Sequence, residues 1–456
     1  MGVYEDVAIA DMKFDGELYT YLCPCGDLFE ISLEELHDGE DIAHCPSCTL
    51  KVRVLFDAKD LPALPEEALP QSRRRPGRRT AAAGAGARAA APPRRRAARR
   101  RRPAPKPPPP PPPPPPKKKK ICYAVTVTEE PKPGATGFID GAAVLKESLF
   151  EASARSKYGL PALVAFVSPR VSAGTRAALA SIGFESREQP LPIDPARIEG
   201  DFLRDLWSKD STKGGCCGAW ELLKLYAWTL TEFHRVVHVD MDCLLLQPID
   251  ELFDLDVSLV YTADYNMMND NQRRNRMTPA VQGGFLVVRP SAAVFDAIVA
   301  VSQAGRWGGK LGSGWEGTGV GHWWGGNTIQ GVLPYFFKIH APKHLDAAAF
   351  AAGDLEATEV DRCIYDNMVD KAVVNPDPPV GQSACRDVAV DDIKFMHFTV
   401  CQKPWSCHPN RDDANGLCPA LHRIWFEKRR AYEAAHGMPS NDKPCQRKYD
   451  PMAFAF

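Results

Sequence analysis

Ten consecutive prolines, Pro107 to Pro116, interrupt a chain of 456 residues and prevent it from folding around one continuous core. Proline lacks the amide hydrogen that helix interiors and central strands need, and its ring fixes φ. The run reads as a stiff polyproline II spacer, roughly 31 Å long at ~3.1 Å per residue. Its surroundings are equally unable to build a core: "RRRPGRR", an Ala/Gly tract, "RRRAARRRR" and four closing lysines. Residues 71–120 hold 18 of the 56 basic side chains and no acidic one, leaving 38 basic against 57 acidic side chains elsewhere. Composition of this kind buries too little apolar surface to offset the entropy of ordering. Residues 59–120 are therefore expected to be a disordered, basic and proline-rich linker between acidic folded parts. A nuclear-import or nucleic-acid patch is the other reading of its arginines. Between Ser72 and Lys120, however, there is no aromatic ring on which a base could stack.

Residues 1–58 are too few to be held by an apolar core alone and need a staple. In "ISLEELHDG" Ser32 can cap a short helix, Glu35 stands at the capping-box position and Gly39 can end it. The staple lies in "YLCPCGDLFE" and "AHCPSCTL", which give Cys23-x-Cys25, nineteen intervening residues, then Cys45-x-x-Cys48. Two close thiolate pairs match a tetrahedral metal site, with two disulfides or four free thiols as the alternatives. The flanking "YEDVAIADMKFD", "CPCGDLFEISLEEL" and "GEDIAHCPSCTLKVRVLFD" resemble the CSL-type zinc finger of diphthamide biosynthesis protein 3, with Cys48-Thr49-Leu50 at the CSL triplet. The resemblance implies that Cys23, Cys25, Cys45 and Cys48 hold Zn²⁺ or Fe²⁺. It further implies, for the iron form, electron transfer to the radical enzyme that starts diphthamide formation on elongation factor 2. It also implies a link to the Elongator tRNA-modification system and a cytoplasmic or nuclear setting. The four thiolates by themselves indicate metal binding only.

The N-terminus, "MGVYEDVAIADMKFDGELY", has no basic segment followed by an apolar run, so no secretory signal is expected. Gly2 is a myristoylation cue without its Ser or Thr, because Asp6 stands there. No run approaches 18 apolar residues, so no membrane span is expected. Fourteen cysteines in this context favour thiols and a metal site over a disulfide framework. The spacing of Cys401, Cys407, Cys418 and Cys445 would nevertheless suit disulfides in an oxidising compartment.

Residues 121–456 read as an α/β domain. "ICYAVTV", "ALVAFVS", "RVVHVDM", "VSLVYTA" and "GGFLVVR" are short apolar strands, with helical stretches such as "TRAALASIG" and "AWELLKLYAWTLTEF" between them. Alternation of this kind predicts a parallel-rich sheet with helices on both faces, binding ligands at strand carboxyl ends. "VVHVDMDCLLL" is expected as one buried strand, Val236 to Leu246, with Asp240 and Asp242 on one face. Two neighbouring acids in an apolar strand are a structural pair satisfied by backbone donors, a glycosidase acid and nucleophile about 5 to 5.5 Å apart, or a Mn²⁺ or Mg²⁺ site gripping a diphosphate. "FMHFTVCQKPW" favours the last reading: His397 supplies an imidazole ligand that suits Mn²⁺, and Lys403 an exposed cleft charge for phosphate.

From "CYAVTVT" to Trp405 the chain resembles glycosyltransferase family 8, the glycogenin-like group. The resemblance takes in "AWELLKLYAWTLTEFHRVVHVDMDCLLLQPIDELFD", "VQGGFLVVRPS", "IQGVLPYFF" and "HFTVCQKPW". It implies a GT-A type nucleotide-diphospho-sugar transferase, a Rossmann-like mixed sheet with helices on both faces. It also implies Mn²⁺ (or Mg²⁺) held by Asp240, Asp242 and His397, with Lys403 on the diphosphate and Lys224 beside the phosphate and sugar. Val125, Thr126 and Thr128 would line the uridine, Asp240 would also approach the ribose, and Gln282, Gly283 and Gln330 would contact the sugar. Two positions depart from the family: Ile329 replaces an acidic residue before Gln330, and Gln282 replaces an asparagine. Asn327 is a candidate substitute for the missing polar group. No counterpart of glycogenin's autoglucosylated tyrosine is evident, and Tyr365 aligns with a structural tyrosine. The expected function is Mn²⁺-dependent retaining transfer of a hexose from a UDP-sugar to a glycan or protein acceptor. The rival is a diphthamide electron carrier or Elongator-linked adaptor with an inactive transferase domain; a third reading is two neighbouring genes joined as one.

Without its metal the 1–58 fragment should unfold, because structural zinc contributes roughly 10 kcal/mol or more to such modules. Chelation followed by NMR checks this, and a dispersed spectrum from metal-free fragment would refute it.

Overall fold

The computed structural model describes residues 5–14, 16, 18–23, 28–37, 39–44, 51–57, 59, 61–62, 119–130, 137–209, 218–268, 277–308, 314–323, 325–370, 384–407, 416–441, 444–445 and 449–454. Residues 63–118 of the expected linker, together with Cys25, Cys45 and Cys48, lie outside them.

Among the described residues the N-terminal segment forms a sheet of six short strands: β1 (Asp6–Ala8), β2 (Lys13–Phe14), β3 (Leu18–Leu22), β4 (Leu28–Ser32), β5 (Ile42–His44) and β6 (Lys51–Leu55). Their order is β1-β6-β5-β4-β3-β2, with β1 parallel to β6 and the other pairs antiparallel. The helix Leu33–His37 starts as the capping box requires. Ser32 N–H donates to Glu35 Oε2 at 2.8 Å, and Glu35 N–H donates back to Ser32 Oγ at 3.2 Å. Gly39, at φ +86°, stops it in a conformation glycine adopts without strain. Phe29, Ile31, Ala43, Val52 and Val54 fill a small core, and Cys23 is buried against them.

The large unit is a mixed sheet of seven strands in the order β16-β12-β13-β10-β7-β8-β9 among the described residues. In chain order these are β7 (Ile121–Val127), β8 (Ala162–Val167), β9 (Glu185–Glu188), β10 (Arg235–Val239), β12 (Leu259–Asp264), β13 (Ala280–Val288) and β16 (Ala357–Glu359). β13 runs antiparallel to both its neighbours; the remaining pairs are parallel. Two ribbons are separate, β11 (Cys243–Leu245) with β17 (Phe395–His397), and β14 (Trp307–Gly308) with β15 (Gly314–Trp315). β7 shows why its sequence is almost continuously apolar. Ile121, Tyr123, Val125 and Val127 face a core that includes helices Gly137–Ser153 and Leu417–Ala435. Cys122 and Ala124 face the opposite core, containing the helices Gly218–Thr229 and Ile329–Tyr335. With both faces covered, alternation of polar residues has no place.

Three expectations need correction. The stretch Val236–Leu246 is not one strand: β10 ends at Val239, Asp240–Asp242 form a turn, and β11 leaves to pair with β17. A strand buried on both faces has no room for two acids, so the chain turns where they begin. "AWELLKLYAWTLTEF" is helical, but residues Gly218–Thr229 wind as a 3₁₀ helix, tighter than the α form. Finally, where thiols were expected, six of the nine described cysteines are bonded, as Cys363–Cys385, Cys401–Cys418 and Cys407–Cys445. Cys122 and Cys243 are buried free thiols, and Cys23 is buried. Among the described residues no helix is long and apolar enough to cross a membrane.

The Cys401–Cys418 bridge closes a loop of 17 residues. Chain-entropy reasoning gives it about 3 kcal/mol. Replacing both cysteines by serine should lower the unfolding free energy by about that amount in denaturant titration, and an unchanged midpoint would show that the bridge is not formed.

Candidate functional site

The turn Asp240–Asp242 places two carboxylates at the carboxyl end of β10. Asp240 N–H donates to Gly284 O on β13 at 3.2 Å, which fixes the start of the turn. Phe398 N–H donates to Asp242 O at 2.9 Å, which brings the segment after β17 against its end. The β11–β17 register then sets His397 opposite Cys243, beside Asp242.

Asp242 is buried. Lys403 Nζ donates to its Oδ2 at 2.5 Å, and His397 Nε2 lies 3.6 Å from the same oxygen. Burial alone would raise the carboxyl's pKa, but the neighbouring Lys403 and His397 outweigh it and hold the group well below the usual carboxylate range. On His397, burial opposes the charge, whereas Asp242 and Asp366 favour it; the balance lifts the imidazole to about 10. Asp366 sits 3.2 Å from His397 Nδ1 and accepts Thr262 Oγ1 on its other oxygen at 2.8 Å. Lys403 also donates to Phe398 O at 2.6 Å. Its expected exposure is thus incorrect: at 4 % exposure Lys403 is a buried, ion-paired lysine.

Asp240 is more open. Lys224 Nζ donates to its Oδ1 at 2.9 Å and to Gly283 O at 3.1 Å. The Gly283–Gly284 doublet on β13 is what lets the cluster close. A Cβ on Gly284 would collide with the His397 ring, 2.8 Å from Nδ1, and would sit 3.1 Å from Asp240 Oδ2. A Cβ on Gly283 would touch Lys224 Nζ and Gln330 Cγ, at 3.5 and 3.7 Å. Gln282 turns back, its Oε1 accepting Gly284 N–H at 2.8 Å and its Nε2 lying 3.5 Å from Asp264 Oδ2. The structure therefore gathers Asp240, Asp242, His397, Lys403, Lys224, Gln282, Gly283 and Gln330.

The candidates on β7 have other partners. Val125 lies in the core, Thr126 Oγ1 shares a hydrogen bond of 2.7 Å with His238 Nε2, and Thr128 O accepts Ser168 Oγ at 2.6 Å. They stand beside the site only because β7 and β10 are parallel neighbours, Ala124 opposite His238. Tyr365 donates to Glu251 Oε1 at 2.8 Å. Of the four-cysteine set only Cys23 is described.

Sequence reasoning missed Asp366, Gly284 and Cys243. No spacing flags Asp366; the Gly-Gly doublet inside a strand pattern was a signal of close approach. Asp242, Cys243 and His397 bring potential ligand atoms within 4.8 Å of one another; Asp240 is not in that close group, its Oδ2 lying 3.1 Å from where a Gly284 Cβ would stand. Two carboxylates and an imidazole suit a Mn²⁺-like ion, and the missing Cβ of Gly284 leaves the cradle open.

Residues 5–57 match the family model of the CSL zinc finger. Diphthamide biosynthesis protein 3 of Neurospora crassa is 54% identical over 68 residues, 14% of this chain and 83% of that protein. The Kluyveromyces lactis protein of the same name is 54% identical over 63 residues, 13% of this chain and 77% of that protein. Structural neighbours are glycosyltransferases. The apo bifunctional glycosyltransferase WbbM has 13% identity and TM-score 0.38, covering 68% of this chain and 50% of that one. An active-site mutant of LgtC has 11% identity and TM-score 0.37, covering 66% and 94%. Mouse xyloside xylosyltransferase 1 has 10% identity and TM-score 0.34, covering 60% and 97%.

Gly284→Ala should displace His397 and weaken Mn²⁺ binding about 10- to 100-fold, the range for losing ligand support. Electron paramagnetic resonance titration of Mn²⁺ measures this, and wild-type affinity would remove His397 from the metal site.

Proposed function

The chain belongs, through residues 5–57, to the family of diphthamide biosynthesis protein 3, and from that premise we propose a protein of two chemistries. Residues 1–58 form the zinc- or iron-binding unit, 59–120 the linker, and 121–456 a glycosyltransferase that moves a hexose from a UDP-sugar to a glycan or protein acceptor with retention. The convergence of Asp240, Asp242, His397 and Lys403 at one turn is the observation that carries the second part.

Asp240, Asp242 and His397 would hold a divalent ion, Mn²⁺ or Mg²⁺, which when bound supplies charge neutralisation to the two phosphates. Lys403 and Lys224 place two further positive charges beside that position, where a water-poor setting strengthens them. Gln330, Gln282 and Gly283 would orient the sugar, and Val125, Thr126 and Thr128 the uridine. The bond between the anomeric carbon and the phosphate oxygen breaks as the acceptor oxygen bonds on the same face. The acceptor's proton passes to the departing phosphate oxygen, so no carboxylate nucleophile is required.

A second reading makes the chain an electron carrier in diphthamide synthesis, or an Elongator-linked adaptor, with a silent large unit. It is favoured by the 54% identity to diphthamide proteins, which lies wholly in the N-terminal part. Both parts can be scored in one chain: diphthamide on elongation factor 2 in cells lacking their own carrier, and UDP-hexose turnover in vitro.

Turnover should require Mn²⁺ or a close substitute, and Asp242→Asn should abolish it while weakening UDP; full activity in EDTA would overturn the reading. Lys403→Ala should cost about 2 to 4 kcal/mol in kcat/KM, with Lys403→Arg recovering only part. Because Lys403 neutralises a buried carboxylate, Lys403→Ala should also destabilise the fold, by about 3 kcal/mol or more. Calorimetry beside the kinetics separates the two losses.

A further inference from the structure

Residues 362–370 form a tightly built segment behind His397. It opens with the helix Arg362–Tyr365, capped by Asp361 Oδ1, which accepts Cys363 N–H at 2.9 Å. The Cys363–Cys385 disulfide ties this helix to a second segment. Arg362 and Asp370 pair their charges with both side chains buried, an arrangement that carries a desolvation cost. Val369 takes φ +59°, a left-handed conformation that is an outlier for a β-branched residue and persists only where the surroundings impose it. Asn367 imposes it: its Oδ1 accepts Val369 N–H at 2.7 Å, and its Nδ2 donates to the Cys363 and Cys385 carbonyls at 2.8 and 3.1 Å. The Asn367 backbone also grips β17. Its N–H donates to Phe395 O at 2.9 Å, and its carbonyl accepts His397 N–H at 3.0 Å.

What this segment presents to His397 is Asp366, which is buried. Thr262 Oγ1 on β12 donates to its Oδ2 at 2.8 Å, so the carboxylate is held in one orientation. Its Oδ1 lies 3.2 Å from His397 Nδ1. A carboxylate only accepts, so the proton of that contact belongs on Nδ1. The other ring nitrogen, Nε2, is then the one turned toward Asp242, 3.6 Å from its Oδ2. Asp366 itself is outside the close group of potential ligand atoms that Asp242, Cys243 and His397 form. It stands on the far side of the imidazole from Asp242.

Resting on the proposed metal site, we infer that Asp366 is its positioning residue: it fixes the His397 ring and tautomer so that Nε2 is the ligand atom, and residues 362–370 are the frame that holds it there. Without such a partner the imidazole can turn about its last side-chain torsion, whose preference is broad. It can also carry its proton on Nε2 and so offer a cation no lone pair. Asp366 removes both alternatives. A ligating histidine whose second nitrogen donates to a carboxylate is, in addition, a more basic ligand. The frame explains why the chain accepts a left-handed valine and a buried ion pair at this place, since strain persists where a functional group must be held. Thr262 contributes by keeping the carboxylate from turning away from the ring.

The test measures Mn²⁺ affinity of the full chain by electron paramagnetic resonance, with UDP present and absent. Asp366→Asn keeps the shape and one accepting oxygen but loses the charge, and should lower the affinity about 10- to 100-fold. In a His397→Ala background the same substitution should change it by less than about twofold, because a residue that acts through the imidazole has nothing left to position. An equally large loss with and without His397 overturns the inference, since Asp366 would then act on the ion directly or only on the fold. Wild-type affinity in folded Asp366→Asn also overturns it. Thr262→Val should give a smaller loss in the same direction. Should Asp366→Asn not fold, unchanged affinity in Thr262→Val overturns the inference without it. Failure of wild type to bind Mn²⁺ with or without UDP overturns the proposed metal site itself.

Discussion

The charge on Asp242 organises the large unit. An ionised carboxylate taken out of water costs several kcal/mol unless it is neutralised in good geometry. Its neutralising groups, Lys403 and His397, come from about 160 residues further along the chain, as the Lys403 hydrogen bond with its sequence separation of 161 records. The C-terminal segment must therefore return to the end of β10. Pairing of β11 with β17 and the Phe398 N–H to Asp242 O bond are the backbone form of that return. His397, once charged, needs an anion on its other nitrogen, and Asp366 provides it while bonding Thr262 on β12. Hydrogen-bond chains of this kind strengthen one another in a low dielectric, so one buried acid ties together four separate segments.

The two acids of the turn differ in a way that sets the direction of approach. The Asp242 side chain is 7 % exposed and that of Asp240 is 35 % exposed. The inner acid has Lys403 and His397 on its Oδ2, whereas the outer one is partly open to solvent with Lys224 on one side. A polyanionic ligand would therefore arrive over Asp240, with positive charge beneath and beside it. Packing keeps this geometry firm. Trp405 lies against Gly137 and Gly141 of the helix Gly137–Ser153, where any side chain would collide with its ring, and the Phe138 ring is 5.1 Å away. His422, on the C-terminal helix, holds the Cys401 and Gln402 carbonyls at 2.9 and 3.1 Å.

Much of this was legible in the sequence where the cause is local. The strands β7, β8 and β10 begin where their apolar runs begin, and the Ser32–Glu35 capping box is a pattern of four adjacent residues. Asp240, Asp242, His397 and Lys403 were recognisable because their chemistry has no use in a core except together. What escaped has a tertiary cause. The break of Val236–Leu246 into two strands depends on a neutralising partner far along the chain. The 3₁₀ winding of residues 218–229 depends on packing that periodicity does not distinguish from an α-helix. Cys363 and Cys385 drew no attention because disulfide pairing follows Cα separation in the folded chain, 4.7 Å here, and not spacing in sequence.

The cysteines place two demands on one chain. The four N-terminal cysteines must stay reduced if they are to hold a metal, while the three disulfides among the described residues of the large unit belong to an oxidising setting. The cytoplasmic or nuclear setting rests on the N-terminal family alone. Burial narrows the conflict from the disulfide side. Cys363, Cys385, Cys401 and Cys418 are at most 2 % exposed, so a thiol reductant reaches those bridges only when the fold opens. Metal binding narrows it from the other side, since a coordinated thiolate is withheld from attack on a disulfide. The Cys407–Cys445 bridge has neither protection, because both residues are half-buried. Its redox state therefore reports the compartment, whereas the two buried bridges report the integrity of the fold around Asp366 and Lys403.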